Sequence, residues 1–324
     1  MLNRRHLGSS LVSALLASAI AKPVWAQTYP TKTIRIIVPF TPGSPVDVAA
    51  RLLGQHLSVQ FGQGVVIDNR PGAGTTIGMR AAVIADPDGH TLLFQSSSLV
   101  VAPAMYKSLD YDPVKALAPV AYVAGSHWLT VVPPSLPVKT VPEFIAYAKA
   151  NPGKLNFGFG QGTAPQLVGE WLKRTNNLDI ASVPYRGGTH AMADMAGGSI
   201  HLTIGTPSTL LPMIHDGKVR AISTWAPKRL PELPDVPTMI ESGFPGLSLT
   251  YWTGLWAPAS TPRAIVEKLN NATNTALRSP EMKAAMDHLG IEPIIGTPQE
   301  FAAFIASERP KWTKIVETSG VKID

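Results

Sequence analysis

The sequence predicts an α/β fold in two lobes, each a sheet flanked by helices, with a cleft between them. Three observations carry that prediction. Short β-branched or aromatic runs alternate with stretches of helical periodicity along the 324 residues. Several of those runs are apolar at consecutive positions, as in strands that helices cover on both faces. Two longer apolar segments, Val120 to Gly125 and Leu247 to Ala257, stand where the chain would cross between lobes. The expected division is 27–126 plus 252–324 for lobe one and 127–251 for lobe two.

Taken in chain order, the first 26 residues read as an export signal. Arg4 and Arg5 form a charged start, Leu11 to Ile20 an apolar stretch too short to span a bilayer, and Val24-Trp25-Ala26 a small-residue cleavage site. Ordinary secretion and a twin-arginine route both fit. No other stretch approaches the length of a spanning helix. The formal charge of +6 includes Arg4, Arg5 and Lys22, so their removal leaves +3. Basic residues come at most in pairs, such as Lys173-Arg174, without interleaved aromatics, which argues against nucleic-acid binding. With no cysteine the chain has no disulfide, thiolate metal site or lipidated N-terminus.

Strands are expected at Ile34 to Val38, Val65 to Ile67, Thr91 to Phe94, Leu129 to Val132, Phe157 to Phe159, Ile200 to Ile204 and Val219 to Ile222. Helix starts are marked by the capping-box patterns Thr140 to Glu143 and Thr297 to Glu300 and by Ser279-Pro280-Glu281. Ile265, Leu269, Ala272 and Ala276 carry helical spacing, as do Phe301, Phe304 and Ile305. Two or three amphipathic helices therefore close the chain.

Two loops carry chemistry. The first, Pro39 to Asp47, joins the strand ending at Val38 to a helix. A glycine-containing turn there leaves free backbone N–H groups before the helix, where an anion gains hydrogen bonds and the helix dipole. Thr41 and Ser44 add hydroxyl donors, and Asp47 caps or braces the turn. The plain alternative is a strand-to-helix turn with Ser44 as its N-cap. The second loop, Phe157 to Pro165, repeats this in the other lobe, with Gly158, Gly160 and Gly162 letting backbone approach a ligand. Two anion-receptive helix starts, one per lobe, point to a ligand carrying carboxylate at one end or both. Arg186 is a candidate cation beside it. His127, His190, Trp128, Tyr251 and Trp252 fall near the expected cleft, and Trp252 reads equally as pocket wall or hinge core.

The glycine-rich stretch Asn69 to Gly78 is not a dinucleotide fingerprint, because Ile77 stands where the third glycine belongs and Pro71 interrupts the strand-to-helix turn. It reads as a rigid turn seating the next helix. No G-x-S-x-G elbow, H-E-x-x-H or phosphate loop is present, and the histidines are scattered. The expectation is therefore a non-enzyme needing no metal and no cofactor.

These blocks resemble the tripartite tricarboxylate transporter substrate-binding family, also called the Bordetella uptake gene family. The resemblance rests on Tyr29-Pro30, Ile34 to Phe40, Asn69 to Gly74, Asp86-Pro87-Asp88-Gly89, Val183 to Gly187, Leu233 to Thr238 and Trp252-Thr253-Gly254. It implies a type II-like periplasmic binding protein fold, a periplasmic location, no catalysis, and the membrane components of a tripartite tricarboxylate transporter as partners to a monomer. It also implies that Phe40, Thr41, Gly43, Ser44 and Asp47, with Gly160, Gln161, Gly162, Thr163 and Ala164, hold the acid groups, and that Asp194 is an acid near the cleft or a helix brace. Two positions depart from the family pattern: Ser44 replaces a usual second glycine, and Thr206-Pro207-Ser208 lacks an acidic residue often found there. Without that acid an amino-acid ligand is disfavoured, and a di- or aromatic carboxylate such as terephthalate, stacked near the tryptophans, is the expected cargo. A ligand-loaded sensor signalling to a membrane kinase and a hydrolase with an unrecognised serine are the competing readings.

Overall fold

Strand β1 (Ile34–Val38) buries every side chain but that of Arg35. It leads into α1 (Pro45–Phe61), which Ser44 caps and whose Ala49, Ala50, Leu53 and Leu57 form one buried face. Gly62, at φ +61°, ends the helix in the left-handed conformation that glycine adopts without penalty. The computed structural model describes residues 29–321 except 107–108, 187 and 289; the expected export signal, 1–26, lies outside the described residues. Among them no helix is long and apolar enough to cross a membrane.

The chain continues through β2 (Val65–Asn69), a 3-10 turn at Ala73–Thr75, α2 (Thr76–Val83), β3 (Thr91–Ser96), α3 (Ser98–Met105), α4 (Pro113–Ala116) and β4 (Leu117–His127). A second group of elements follows: β5 (Leu129–Val132), α5 (Val141–Ala150), β6 (Leu155–Gly160), α6 (Ala164–Thr175), β7 (Ile180–Tyr185), α7 (Gly188–Ala196), β8 (Thr203–Gly205), α8 (Pro207–His215) and β9 (Arg220–Thr224). The chain then returns with β10 (Thr250–Pro258), α9 (Arg263–Leu277), α10 (Pro280–His288), β11 (Glu292–Pro293) and α11 (Pro298–Ser319).

The first and last groups share a six-stranded sheet ordered β11-β4-β10-β3-β1-β2. The middle group forms the antiparallel sheet β8-β5-β9 and the parallel pair β6-β7, joined by a bridge from Phe157 to Leu202. The two apolar crossing segments are thus strands β4 and β10, paired antiparallel from Leu117 opposite Pro258 to Thr250 opposite His127. Behind β10, Trp252 and Trp256 pack on Phe301, with ring centroids 5.9 and 4.8 Å away. Trp252 is fully buried there.

Strand β7 was not expected. It carries Pro184 and exposes Ala181 and Ser182, which is permitted because it is an edge strand whose outer side needs no ladder donors. The capping box of α11 is complete. In α5 only half of it forms: Thr140 accepts the Glu143 amide, while the Glu143 carboxylate takes the amide of Lys139 instead.

Candidate functional site

A cavity of about 130 Å³ lies between the two groups of strands. That is comparable to the roughly 150 Å³ cavity known to admit a benzene ring, so the space suits a small organic molecule. The β1–α1 loop contributes Phe40, Thr41, Ser44 and the first turn of α1, and the β3–α3 junction contributes Ser96, Ser97 and Ser98. From the other side come Gly160, Thr163 and Ala164 at the start of α6, then Gly205, Thr206 and Thr209 around the start of α8. Trp128 and Tyr251, from the two crossings, complete the wall, with their rings edge-to-face at 5.0 Å.

Among the described residues, no lining side chain is a carboxylate, an ammonium, a guanidinium or an imidazole. The one titratable wall group is Tyr251, whose phenol burial pushes above its ordinary range. Polarity comes instead from hydroxyls and helix ends. Helices α3, α6 and α8 all start at this cavity, and none is capped by its cap-position side chain or has an acidic residue in its first turn, although the Ser98 amide that opens α3 donates to the Ser96 hydroxyl at 3.3 Å. Their cap-position hydroxyls are otherwise engaged or idle. Thr163 donates to the Gly160 carbonyl at 2.6 Å, Thr206 bonds the Ser208 hydroxyl at 2.7 Å, and Ser97 Oγ has no partner among the described residues. The contrast with α5 and α11 is direct, because Glu143 and Glu300 occupy the first turns of those helices. Each uncapped end carries about half a positive charge and unpaired N–H groups. Three such ends around one neutral cavity make it receptive to anionic oxygen.

Of the residues expected from the sequence, Phe40, Thr41, Ser44, Gly160, Thr163 and Ala164 are brought together in this wall. Ser44 also caps α1, accepting the Asp47 amide at 3.3 Å, so it serves the turn as well as the cavity. The others stand elsewhere. Asp47 is buried behind the loop, where its carboxylate accepts from the Gly43 amide at 2.9 Å, Arg51 Nε at 2.9 Å and Asn69 Nδ2 at 2.8 Å. Burial pushes that carboxyl up, but the bonds from Arg51, Asn69 and Gly43 outweigh it and hold it below its ordinary 3.8. Gly43 and Asp47 therefore shape the loop and do not line the cavity. Gln161 is exposed and extends the β6–β7 ladder through its amide to the Tyr185 carbonyl, and the Gly162 amide closes on Gln166 Oε1.

Arg186 and Asp194 lie apart from this wall. Both are exposed in a separate surface hollow with Tyr185, whose hydroxyl donates to Asp194 at 2.5 Å. Trp252 is core, buried in the aromatic packing behind β10 and outside the cavity wall. Ser97 and the α8 start were not singled out as binding elements. The signal for α8 was present, since Thr206-Pro207 is a cap residue followed by proline at the first helical position.

Comparison with known proteins decides what kind of molecule holds this cavity. A family model described as the tripartite tricarboxylate transporter family receptor matches residues 49–321. The chain belongs to this family. It is a family of transporter receptors and not of enzymes, so the hydrolase reading falls. The solved periplasmic binding protein BugD is 32% identical with a TM-score of 0.84, covering 91% of this chain and 99% of its own. The R. palustris protein Rpa4515, solved with adipate, has the same identity, TM-score and coverage. MatC (Rpa3494) from Rhodopseudomonas palustris, solved with bound malate, is 31% identical with a TM-score of 0.82, covering 89% of this receptor and all of its own chain. The receptor thus has the mixed α/β periplasmic binding protein fold.

Proposed function

We propose that this receptor captures a small di- or aromatic carboxylate in the periplasm and delivers it, as a monomer, to the membrane components of a tripartite tricarboxylate transporter. In this reading residues 1–26 direct export and are removed. Lobes 27–126 plus 252–324 and 127–251 then close on the ligand about the paired strands β4 and β10. One observation carries the proposal: among the described residues, three helix starts with no cap-position side-chain cap and no first-turn acid converge on a cavity with no charged side chain. A cationic or zwitterionic ligand finds no carboxylate there to receive its ammonium, whereas carboxylate oxygens find donors on both sides. The adipate and malate found in two relatives support the same class. Phe40, Trp128 and Tyr251 supply flat apolar wall for an aromatic skeleton, the role expected of Trp252.

The test is a thermal-shift screen of the mature protein against adipate, malate, terephthalate, lysine and glutamate. A ligand that binds only the folded state raises the melting temperature by mass action. The reading predicts a rise with at least one of the three acids and none with the amino acids. A rise confined to lysine or glutamate contradicts it.

A further inference from the structure

The turn that faces Gly162 is strained, and a buried glutamine holds it. Ala73, Gly74 and Thr75 have φ of +43°, +55° and +80°. Glycine takes such angles freely, but for a β-branched residue they are an outlier, so Thr75 is the anomaly. A strained residue persists only where its surroundings over-determine it, and such residues gather at ligand clamps and switches. Thr75 is 4% exposed. Its amide donates to the Gly72 carbonyl at 3.0 Å, and its hydroxyl oxygen accepts from Gln95 Nε2 at 3.1 Å.

Gln95 lies in β3 and is fully buried. Taking an amide side chain out of water is costly unless its bonds are made, and both ends of this one are engaged. Its Nε2 holds Thr75, while its Oε1 accepts from the Ser96 amide at 2.8 Å. The Ser96 hydroxyl in turn accepts from the Ser98 amide at 3.3 Å. Ser96 and Ser98 line the cavity, whereas Gln95 and Thr75 stand outside its wall. One side chain thus links the cavity wall to the strained residue. Next to that residue is Gly74, where the loop before α6 lands: a β-carbon on Gly162 would stand 2.5 Å from the Gly74 Cα. The other tethers of the turn act further along, the Tyr111 hydroxyl donating to the Thr76 carbonyl at 2.9 Å and Gly78 closing on Pro39. Among the described residues only Gln95 hydrogen-bonds the Thr75 side chain.

We propose that Gln95 is a positioning residue for closure: it holds Thr75 in the left-handed conformation that presents Gly74 to Gly162, so that the two groups of strands meet around the ligand. The proposal rests on the binding reading above for its ligand and on the approach of Gly74 to Gly162 for its geometry. The strain and the bond that holds it are of similar size, so losing the bond lets the turn relax.

A double-mutant cycle on the mature protein tests this. Gln95→Met keeps the length of the side chain and removes the amide; Thr75→Gly adopts a positive φ without support. Hydrogen exchange of the ligand-free protein is read at segments 72–76 and 160–164 relative to the rest of the chain, and calorimetry reads adipate binding. Gln95→Met is expected to speed exchange in both segments and to weaken adipate, each about fivefold or more, the scale of one buried hydrogen bond. Thr75→Gly is expected to stay within about twofold of wild type, and Gln95→Met added to it to change either readout by no more than about twofold again, because a glycine at 75 needs no prop. A merely structural glutamine predicts the same loss in both backgrounds. That result, or unchanged exchange at 160–164 in Gln95→Met, overturns the proposal. Should Gln95→Met not fold, Thr75→Val keeps the shape, removes the acceptor and is read at 160–164: faster exchange supports the proposal and unchanged exchange overturns it. Wild-type protein that binds none of adipate, malate and terephthalate overturns the carboxylate reading, and the exchange comparison alone then decides the role of Gln95.

Discussion

Gly74 and Gly162 meet across the cleft: a β-carbon built on Gly162 would stand 2.5 Å from the Gly74 Cα and 3.0 Å from the Tyr106 hydroxyl. Gly74 belongs to the turn after β2 and Gly162 to the loop after β6, so the contact joins the two groups of strands. Both glycines have positive φ, +55° and +75°. A side chain at either position would therefore be strained as well as obstructive. The glycine-rich turn at 69–78 seats α2 as the sequence suggested, and it also forms a landing surface for the opposing loop.

Gly162→Ala is expected to hold the lobes apart. Left-handed backbone costs an alanine about 1–2 kcal/mol, so the unliganded protein loses little stability. Ligand affinity should fall more than about tenfold, because closure contributes most of the contact. Small-angle scattering checks the cause: saturating ligand should compact the wild type and leave the variant extended.

Thr206→Asp is expected to trade function for stability. A carboxylate at the cap of α8 would accept its first-turn amides and complement its dipole, adding about 0.5–1 kcal/mol. The same charge would face the ligand across a small cavity, so affinity should fall about 100-fold or more. Melting temperature and titration calorimetry on one sample report both signs.

That trade-off explains what could be read from the sequence. Helix starts were legible because Ser44, Thr140, Thr163 and Thr297 each stand just before a proline-bearing first turn. What separates binding helices from structural ones was also written there. The third position of α5 and α11 is Glu143 and Glu300, which fill their own helix ends, whereas in α6 and α8 it is Gln166 and Thr209. Proximity in sequence was less reliable. Tyr251 and Trp252 are neighbours in β10, yet one lines the cavity and the other packs behind the strand, since alternation along a strand sends successive side chains to opposite faces. Arg186 carries the charge that a binding site suggests, but it sits beyond the exposed end of β7, and no local pattern reveals on which side of the lobe that end falls.

Asp47→Ala is expected to loosen the first loop. Three donors, from Gly43, Arg51 and Asn69, lose their acceptor behind a buried carboxylate. The loss should be about 2–3 kcal/mol in urea unfolding, with weaker ligand binding. Asp47→Asn, which keeps one acceptor oxygen, should recover part of both.

Stability should decline in mild acid while binding does not. Burial lowers His127 below its ordinary 6.5, and the Leu249 carbonyl with Glu292 and Glu308 offsets only part of that; burial also lowers His201. The unfolded chain then takes up protons that the folded one refuses. The contribution is fully present above pH 6.5 and is lost as pH falls below it toward the folded value. Asp47, held below 3.8, adds a second loss only as pH falls through 3.8 and lower. Melting curves should therefore be level above about pH 7 and slope downward below 6.5, and His127→Gln should flatten the upper part of the slope. Ligand affinity should stay level from pH 6 to 8, because no wall group titrates in that range.

The most direct measurement is a crystal structure of the mature protein with a diacid that stabilises it. Carboxylate oxygens should lie about 2.7–3.1 Å from first-turn amide nitrogens of α6 or α8. A diacid seated instead on Arg186 in the outer hollow, with the helix-lined cavity holding only water, would contradict the account.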